Sequence, residues 1–194
     1  MSRLVGNKAP FFEENALVNG EQKKISLNDY SNKWKILFFY PLDFTFVCPT
    51  EINAFSDAAD KFKAINCNIV ACSVDSFFSH LAWTKQTRAE GGLGEVNFPI
   101  IADLNKNVAR AYEVLNEGGV ALRGLFIIDD KDVIQHATIN NLSVGRNVDE
   151  ALRLVTAYQH TAKVGEVCPA NWKKGDDTMK PDTKGSKDWF KKHN

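Results

Sequence analysis

Pro41, Thr45, Cys48 and Glu51 fall in one short stretch, Pro41-Leu42-Asp43-Phe44-Thr45-Phe46-Val47-Cys48-Pro49-Thr50-Glu51. The sulfur is the strongest nucleophile there, and its reactive form is the thiolate. A free thiol, with a pKa of about 8.5, is only a few per cent ionised at neutral pH, so a reactive cysteine needs help from its surroundings. A hydroxyl stands three residues before Cys48 and a carboxylate three residues after it. A dithiol redox motif would read Cys-x-x-Cys here. Position 51 is Glu instead, so a disulfide partner for Cys48 must come from elsewhere. The plain alternative is a packed, inert cysteine.

The flanking segments say how Cys48 is positioned. Before the stretch runs Trp34-Lys35-Ile36-Leu37-Phe38-Phe39-Tyr40, short and apolar enough for a buried strand. After it Ile52, Phe55, Ala59, Phe62 and Ile65 recur at helical spacing, which predicts one amphipathic helix over about 48–65. Pro49 suits its first position, where the missing N–H would go unpaired anyway. Cys48 therefore stands where a strand feeds a helix start, facing free N–H groups and the positive end of the helix dipole. That dipole contributes about 0.3–1 kcal/mol. Favouring the thiolate by two to three pK units takes roughly 3–4 kcal/mol. A fixed cation nearby is needed; at about 4 Å in a partly buried site it could supply up to ~4 kcal/mol.

The rest of the chain alternates. Asn19-Gly20 signals a hairpin, and Ser26–Tyr30 a short helical turn. Asn68–Val74 is continuously apolar, as parallel strands tend to be, and takes in Cys72, with Cys67 just before it. Asp75-Ser76 offers a cap for a helix to about Glu90, with Phe78, Leu81, Ala82 and Trp83 on the buried face. Gly91-Gly92-Leu93-Gly94 ends it, and no Lys-Ser/Thr follows to make a phosphate loop. A short strand over 97–102, a helix over 105–114, a hairpin of 122–128 with 133–140 around Asp129–Asp132, and a helix from the Asn147 cap to about Lys163 complete the series. Such alternation predicts an α/β protein with helices over a central sheet that the last hairpin makes mixed. Residues 1–163 read as the main domain. Residues 164–194, with seven lysines among Gly175, Pro181 and Gly185, read as a loose extension carrying Cys168.

Composition excludes several functions. Lys+Arg and Asp+Glu balance at 24 each, which gives no pull toward nucleic acid or an anionic membrane. No run approaches a membrane span or a signal peptide, so the expectation is a cytoplasmic protein. There structural disulfides are rare, and the spacing of Cys48, Cys67, Cys72 and Cys168 suits neither a Cys-x-x-Cys pair nor a zinc site.

Pro41-x-x-x-Thr45-x-x-Cys48, extended by Phe44, Val47, Pro49 and Glu51, resembles the active-site motif of the peroxiredoxins, in their typical 2-Cys branch. The resemblance runs on through Gly91–Gly94, Arg123 and Gly165-Glu166-Val167-Cys168-Pro169 to nearly the whole chain. It implies a thioredoxin-like fold with extra elements and a thiol peroxidase needing no metal, flavin or haem. By that resemblance Cys48 attacks the peroxide, with Pro41 shielding the sulfur and Thr45 bonding the substrate. Arg123, which position alone would make a surface ion pair, becomes the cation, oriented by Glu51. Cys168 of a second subunit resolves the Cys48 sulfenic acid as an intersubunit disulfide, a thioredoxin-like reductant reopens it, and the dimers assemble as a ring of five. Gly91–Gly94 with a terminal aromatic pair resembles the elements that make some members prone to overoxidation. The usual Tyr-Phe is Trp189-Phe190 here. Two other classes stay open: a cysteine hydrolase with His80, His136 or His160 as base, and a holdase or peroxide-sensing interaction protein.

Overall fold

The computed structural model describes residues 4–193. Strand β1 (Glu13–Val18) turns through Asn19-Gly20 into β2 (Glu21–Ser26), both turn residues having positive φ as the hairpin signal requires. The central strand β3 (Trp34–Phe39) is buried at every position, and leads to α1 (Cys48–Asp57) and α2 (Ala59–Ala64). Then follow β4 (Cys67–Ser73), α3 (Phe77–Thr84), β5 (Ile100–Ala102), α4 (Asn107–Ala111), β6 (Arg123–Ile128), β7 (Ile134–Asn140), α5 (Val148–Val164) and α6 (Thr183–His193). The sheet has seven strands in the order β2-β1-β5-β4-β3-β6-β7. β4 runs parallel to both β3 and β5, and the other pairs are antiparallel, so the expected mixed sheet is present.

Four expectations change. The helix over 48–65 is two helices, broken at Ala58. Asn97 supplies the cause: its amide donates to the Ser56 carbonyl at 3.3 Å and its backbone N–H to Ser56 Oγ at 3.1 Å, a side chain inserted into the helical ladder. Next, α3 stops at Thr84, and its buried face is His80 and Trp83, while Phe78 stays 74% exposed. The helix expected over 105–114 is only α4, five residues long. Lastly, the extension is structured. Val167 and Met179 pair as an antiparallel bridge, Trp172 is buried beside His160, and α6 closes the chain with Trp189 stacked on His193.

The chain divides into two compact units between Val148 and Asp149, so α5 clusters with the residues that follow it. The core of the first unit lies around β3, where Leu37, Phe39, Val70, Ile101, Phe126 and Ile128 pack together. No helix among the described residues is long and apolar enough to cross a membrane.

Candidate active site

Cys48 opens α1 at the end of the loop that leaves β3, with Val47 as the capping residue and Pro49 one position later than the sequence suggested. The cysteine is fully buried. Its helix-start N–H groups begin bonding at once, Thr50 and Glu51 both donating to the Val47 carbonyl.

Arg123, the first residue of β6, reaches the sulfur. Its Nη1 donates to Cys48 Sγ at 3.4 Å and to Glu51 Oε2 at 2.7 Å, and its Nε donates to the Leu142 carbonyl at 2.8 Å. The guanidinium is thus fixed from both ends, and it is buried, as is Glu51. The sulfur and the Glu51 carboxylate thus share one buried guanidinium nitrogen. Pro41 is buried in the loop before α1. Thr45 Oγ1 donates to the Leu42 carbonyl at 2.9 Å, which leaves its lone pairs free to accept.

Sequence reading missed Arg146. It follows Gly145 in the loop after β7 and is itself buried at its side chain. Its backbone N–H and Nε both donate to Glu51 Oε1, at 2.8 and 2.7 Å, while Nη1 donates to the Phe39 and Gly124 carbonyls at 2.7 and 2.6 Å. Its guanidinium also lies over the Phe38 ring, 5.1 Å from the centroid. Burial pushes the Arg146 pKa down, and Glu51 pulls it back up. Glu51 therefore neutralises two arginines at once. An isolated arginine after a glycine carries no pattern that would have revealed this.

The loop from Pro41 to Val47 is held from behind. Asp43 accepts from Tyr40 Oη at 2.7 Å and pairs with His80 Nδ1 at 2.8 Å, and its backbone N–H donates to Asp75 at 3.0 Å. Phe44 then takes a left-handed φ of 56°, rare for a bulky residue and sustained only where the surroundings over-determine it. His80 Nε2 lies 3.2 Å from the Ile101 carbonyl, so both its nitrogens are engaged and it cannot serve as a base for Cys48. His136 bonds Thr138, and among the described residues the polar partner of the sulfur is a guanidinium rather than an imidazole.

The remaining cysteines differ in kind. Burial pushes the Cys67 thiol up to about 12 and Cys72 well above the ordinary range. Cys168, in the second unit, is only half-buried; burial raises it and Arg153 pulls the other way. All four are free thiols.

Comparison with known proteins shows the family of the chain. The AhpC/TSA family model matches residues 5–137, and the peroxiredoxin prdx-2 of Caenorhabditis elegans is 58% identical over 191 residues, 98% of this chain and 95% of that one. The chain belongs to the AhpC/TSA family of peroxiredoxins. A second model, the C-terminal domain of 1-Cys peroxiredoxin, matches residues 157–192. The thioredoxin peroxidase of Trypanosoma brucei rhodesiense is 57% identical over 192 residues, covering 98% of this chain and 96% of that one. Among solved structures, the reduced 2-Cys peroxiredoxin of Plasmodium vivax superposes with a TM-score of 0.96 at 42% identity, covering 98% of this chain and 100% of that one. The fold of this peroxiredoxin is therefore thioredoxin-like, a mixed seven-stranded sheet flanked by helices.

Proposed function

We propose that Cys48 is the attacking sulfur of this thiol peroxidase, an antioxidant enzyme, and that Cys168 resolves it. The observation that carries the reading is the single Arg123 guanidinium nitrogen bonded both to Cys48 Sγ and to the Glu51 carboxylate inside a buried site. The Cys48 thiolate attacks the terminal peroxide oxygen; an S–O bond forms, the O–O bond breaks, and the leaving alkoxide or hydroxide takes a proton from solvent. Charge moves from sulfur to oxygen during this step, and Arg123 can follow it because it presents several N–H groups in one plane. Thr45 positions the peroxide through its free lone pairs, and the Pro41 ring keeps water off the sulfur.

The sulfenic acid then condenses with the Cys168 thiol of a second subunit: the S–O bond breaks, an S–S bond forms, and the oxygen leaves as water. A thioredoxin-like dithiol reopens that disulfide and is itself oxidised, a reading supported by the name of the trypanosome relative. The cytoplasm, where structural disulfides are rare, is the compartment we assign to this chain. Two surfaces support assembly into dimers and then a ring of five dimers. β7 ends the sheet with Ile139 exposed, an edge open to pairing with a second copy. Phe44, Phe46 and Phe78 leave large apolar area outward, Phe46 being 94% exposed.

The test is a non-reducing gel. Peroxide-treated protein is expected to run as a covalent dimer that disappears in Cys168→Ser, and that variant still consumes about one peroxide per site before stalling. Oxidised protein running wholly as monomer would refute the intersubunit bond. Arg123→Lys tests the cation: it keeps the charge and loses the planar fork. Stopped-flow peroxide attack is expected to slow by at least ~10-fold, since one lost donor to a developing oxyanion costs ~10²–10³. An unchanged rate would make Arg123 a structural residue.

A further inference from the structure

The second unit carries a guanidinium that the chemistry at Cys48 does not use. One stripe of α5 presents Glu150, Arg153, Ala157 and His160, spaced by three or four residues. The turn after Cys168, closed by the Trp172 N–H on the Pro169 carbonyl at 3.3 Å, lies along that stripe. Cys168 Sγ donates to the Ala157 carbonyl at 3.9 Å. The Trp172 ring lies 5.1 Å from the His160 ring, and the Trp172 carbonyl accepts from Arg153 Nη1 at 2.8 Å.

Glu150 aims the arginine. Its carboxylate takes one edge of the guanidinium, Oε2 accepting from Nε at 2.6 Å and Oε1 from Nη2 at 2.7 Å. Nη1, at the other end, is the nitrogen that enters the 168–172 turn. A planar fork held by two parallel bonds keeps one orientation, which a lysine in its place would not. The sulfur stands between opposed influences. The Ala157 carbonyl is an acceptor, so it bonds only the protonated thiol. Burial pushes the Cys168 thiol up as well, and Arg153 pulls it down. Around this contact stand Tyr158 and His160 on α5, and Glu166 and Asp176 on the segment of Cys168 itself. Glu166 accepts from Thr178 Oγ1, and Asp176 Oδ2 from the Lys173 N–H at 2.8 Å.

We propose that Arg153 is the positioning residue of the Cys168 thiol: it holds the 168–172 turn on α5 and turns a positive charge toward the sulfur, which favours the thiolate. The consequence for the reaction rests on the reading of Cys168 as the resolving thiol. In that step the Cys168 thiolate attacks the sulfenic sulfur of Cys48. The S–S bond forms, the S–O bond breaks, and the departing hydroxide leaves as water with the proton that Cys168 gave up. Only the thiolate attacks, so the rate follows its share.

The test is the pH profile of iodoacetamide labelling at Cys168 in the reduced full chain, read by peptide mass. Arg153→Met keeps the stem and removes the charge. Its profile is expected to shift to higher pH with the same plateau. Labelling at neutral pH should slow about two- to fivefold, the scale of a partly exposed charge. Glu150→Gln removes the opposing charge and should shift the profile to lower pH. Arg153→Lys, which keeps the charge without the fork, should fall between the parent and Arg153→Met. About 0.5 M salt should narrow these differences. With peroxide, the intersubunit disulfide should form more slowly in Arg153→Met by the same factor. An unshifted profile in Arg153→Met overturns the proposal. So does a raised plateau without a shift, which would make Arg153 only a clamp on the turn. A shifted profile with an unchanged rate of disulfide formation would overturn its part in resolution. If the parent forms no such disulfide, the reading of Cys168 fails while the labelling profile still judges Arg153.

Discussion

Cys48→Ser is expected to lose fast peroxide reduction by at least ~10³-fold, while Cys67→Ser and Cys72→Ser retain it; removing a catalytic nucleophile in other enzymes costs as much or more. A serine oxygen fits the enclosed site and can still accept from Arg123, so the variant should fold. It cannot form a stable sulfenic acid, and its hydroxyl is far harder to ionise than a thiol. The other thiols cannot substitute. Cys67 is pushed up to about 12 by burial. At neutral pH its thiolate is then roughly one part in 10⁵. Cys72 lies fully enclosed in β4, further still from ionisation, with the Asp103 and Glu14 carboxylates adding to the effect of burial. Cys168 is more open, but its sulfur donates to the Ala157 carbonyl at 3.9 Å rather than sharing a buried guanidinium as Cys48 does. The measurement is single-turnover peroxide consumption by the reduced variants. Substantial turnover in Cys48→Ser would remove the attacking role from this sulfur.

What the sequence disclosed about this site follows from where the information is stored. The strand before Cys48 and the helix after it were legible because burial writes itself as an apolar run and as helical spacing. The need for a cation was legible from magnitudes alone, since the helix dipole is too weak. Its identity, Arg123, came from family likeness, and the geometry then put it on the sulfur. Arg146 was not legible, because its burial depends on carbonyls of Phe39 and Gly124 that only the folded sheet brings together. The face of α3 was misread for a related reason. His80 is buried because Asp43 and Ile101 satisfy its ring, whereas hydropathy favoured Phe78. In the extension, α6 carries only two large apolar residues amid lysines, too few to show a period; the Trp189–His193 stack and the Lys192–Asp177 pair are seen only in the fold.

Glu51→Ala is expected to destabilise the protein by ~3–5 kcal/mol, the usual result of removing one partner from a buried ion pair. Against a typical total of about 5–15 kcal/mol this is a large fraction. The magnitude follows from the count of bonds on one carboxylate. Oε2 accepts from Arg123, and Oε1 accepts from both the backbone N–H and Nε of Arg146. Without it, the two buried guanidiniums keep only the Cys48 sulfur as a possible counter-charge, and the burial of Arg146 loses its main opposing partner. Glu51→Gln keeps the shape and one acceptor, so it should cost less in stability. It still frees the Arg123 fork from its tether, and peroxide attack should slow along with that loss of orientation. The double variant Glu51→Gln, Arg146→Met separates charge from packing. Removing the surplus cation should return part of the lost stability, because a hydrophobic side chain in place of an unpaired buried ion is often neutral or better. Denaturant midpoints with unchanged slopes give the stabilities, and stopped-flow peroxide consumption gives the rates. A Glu51→Ala protein as stable as the parent would mean that water reaches both arginines, and that this carboxylate neither neutralises them nor holds Arg123 against Cys48.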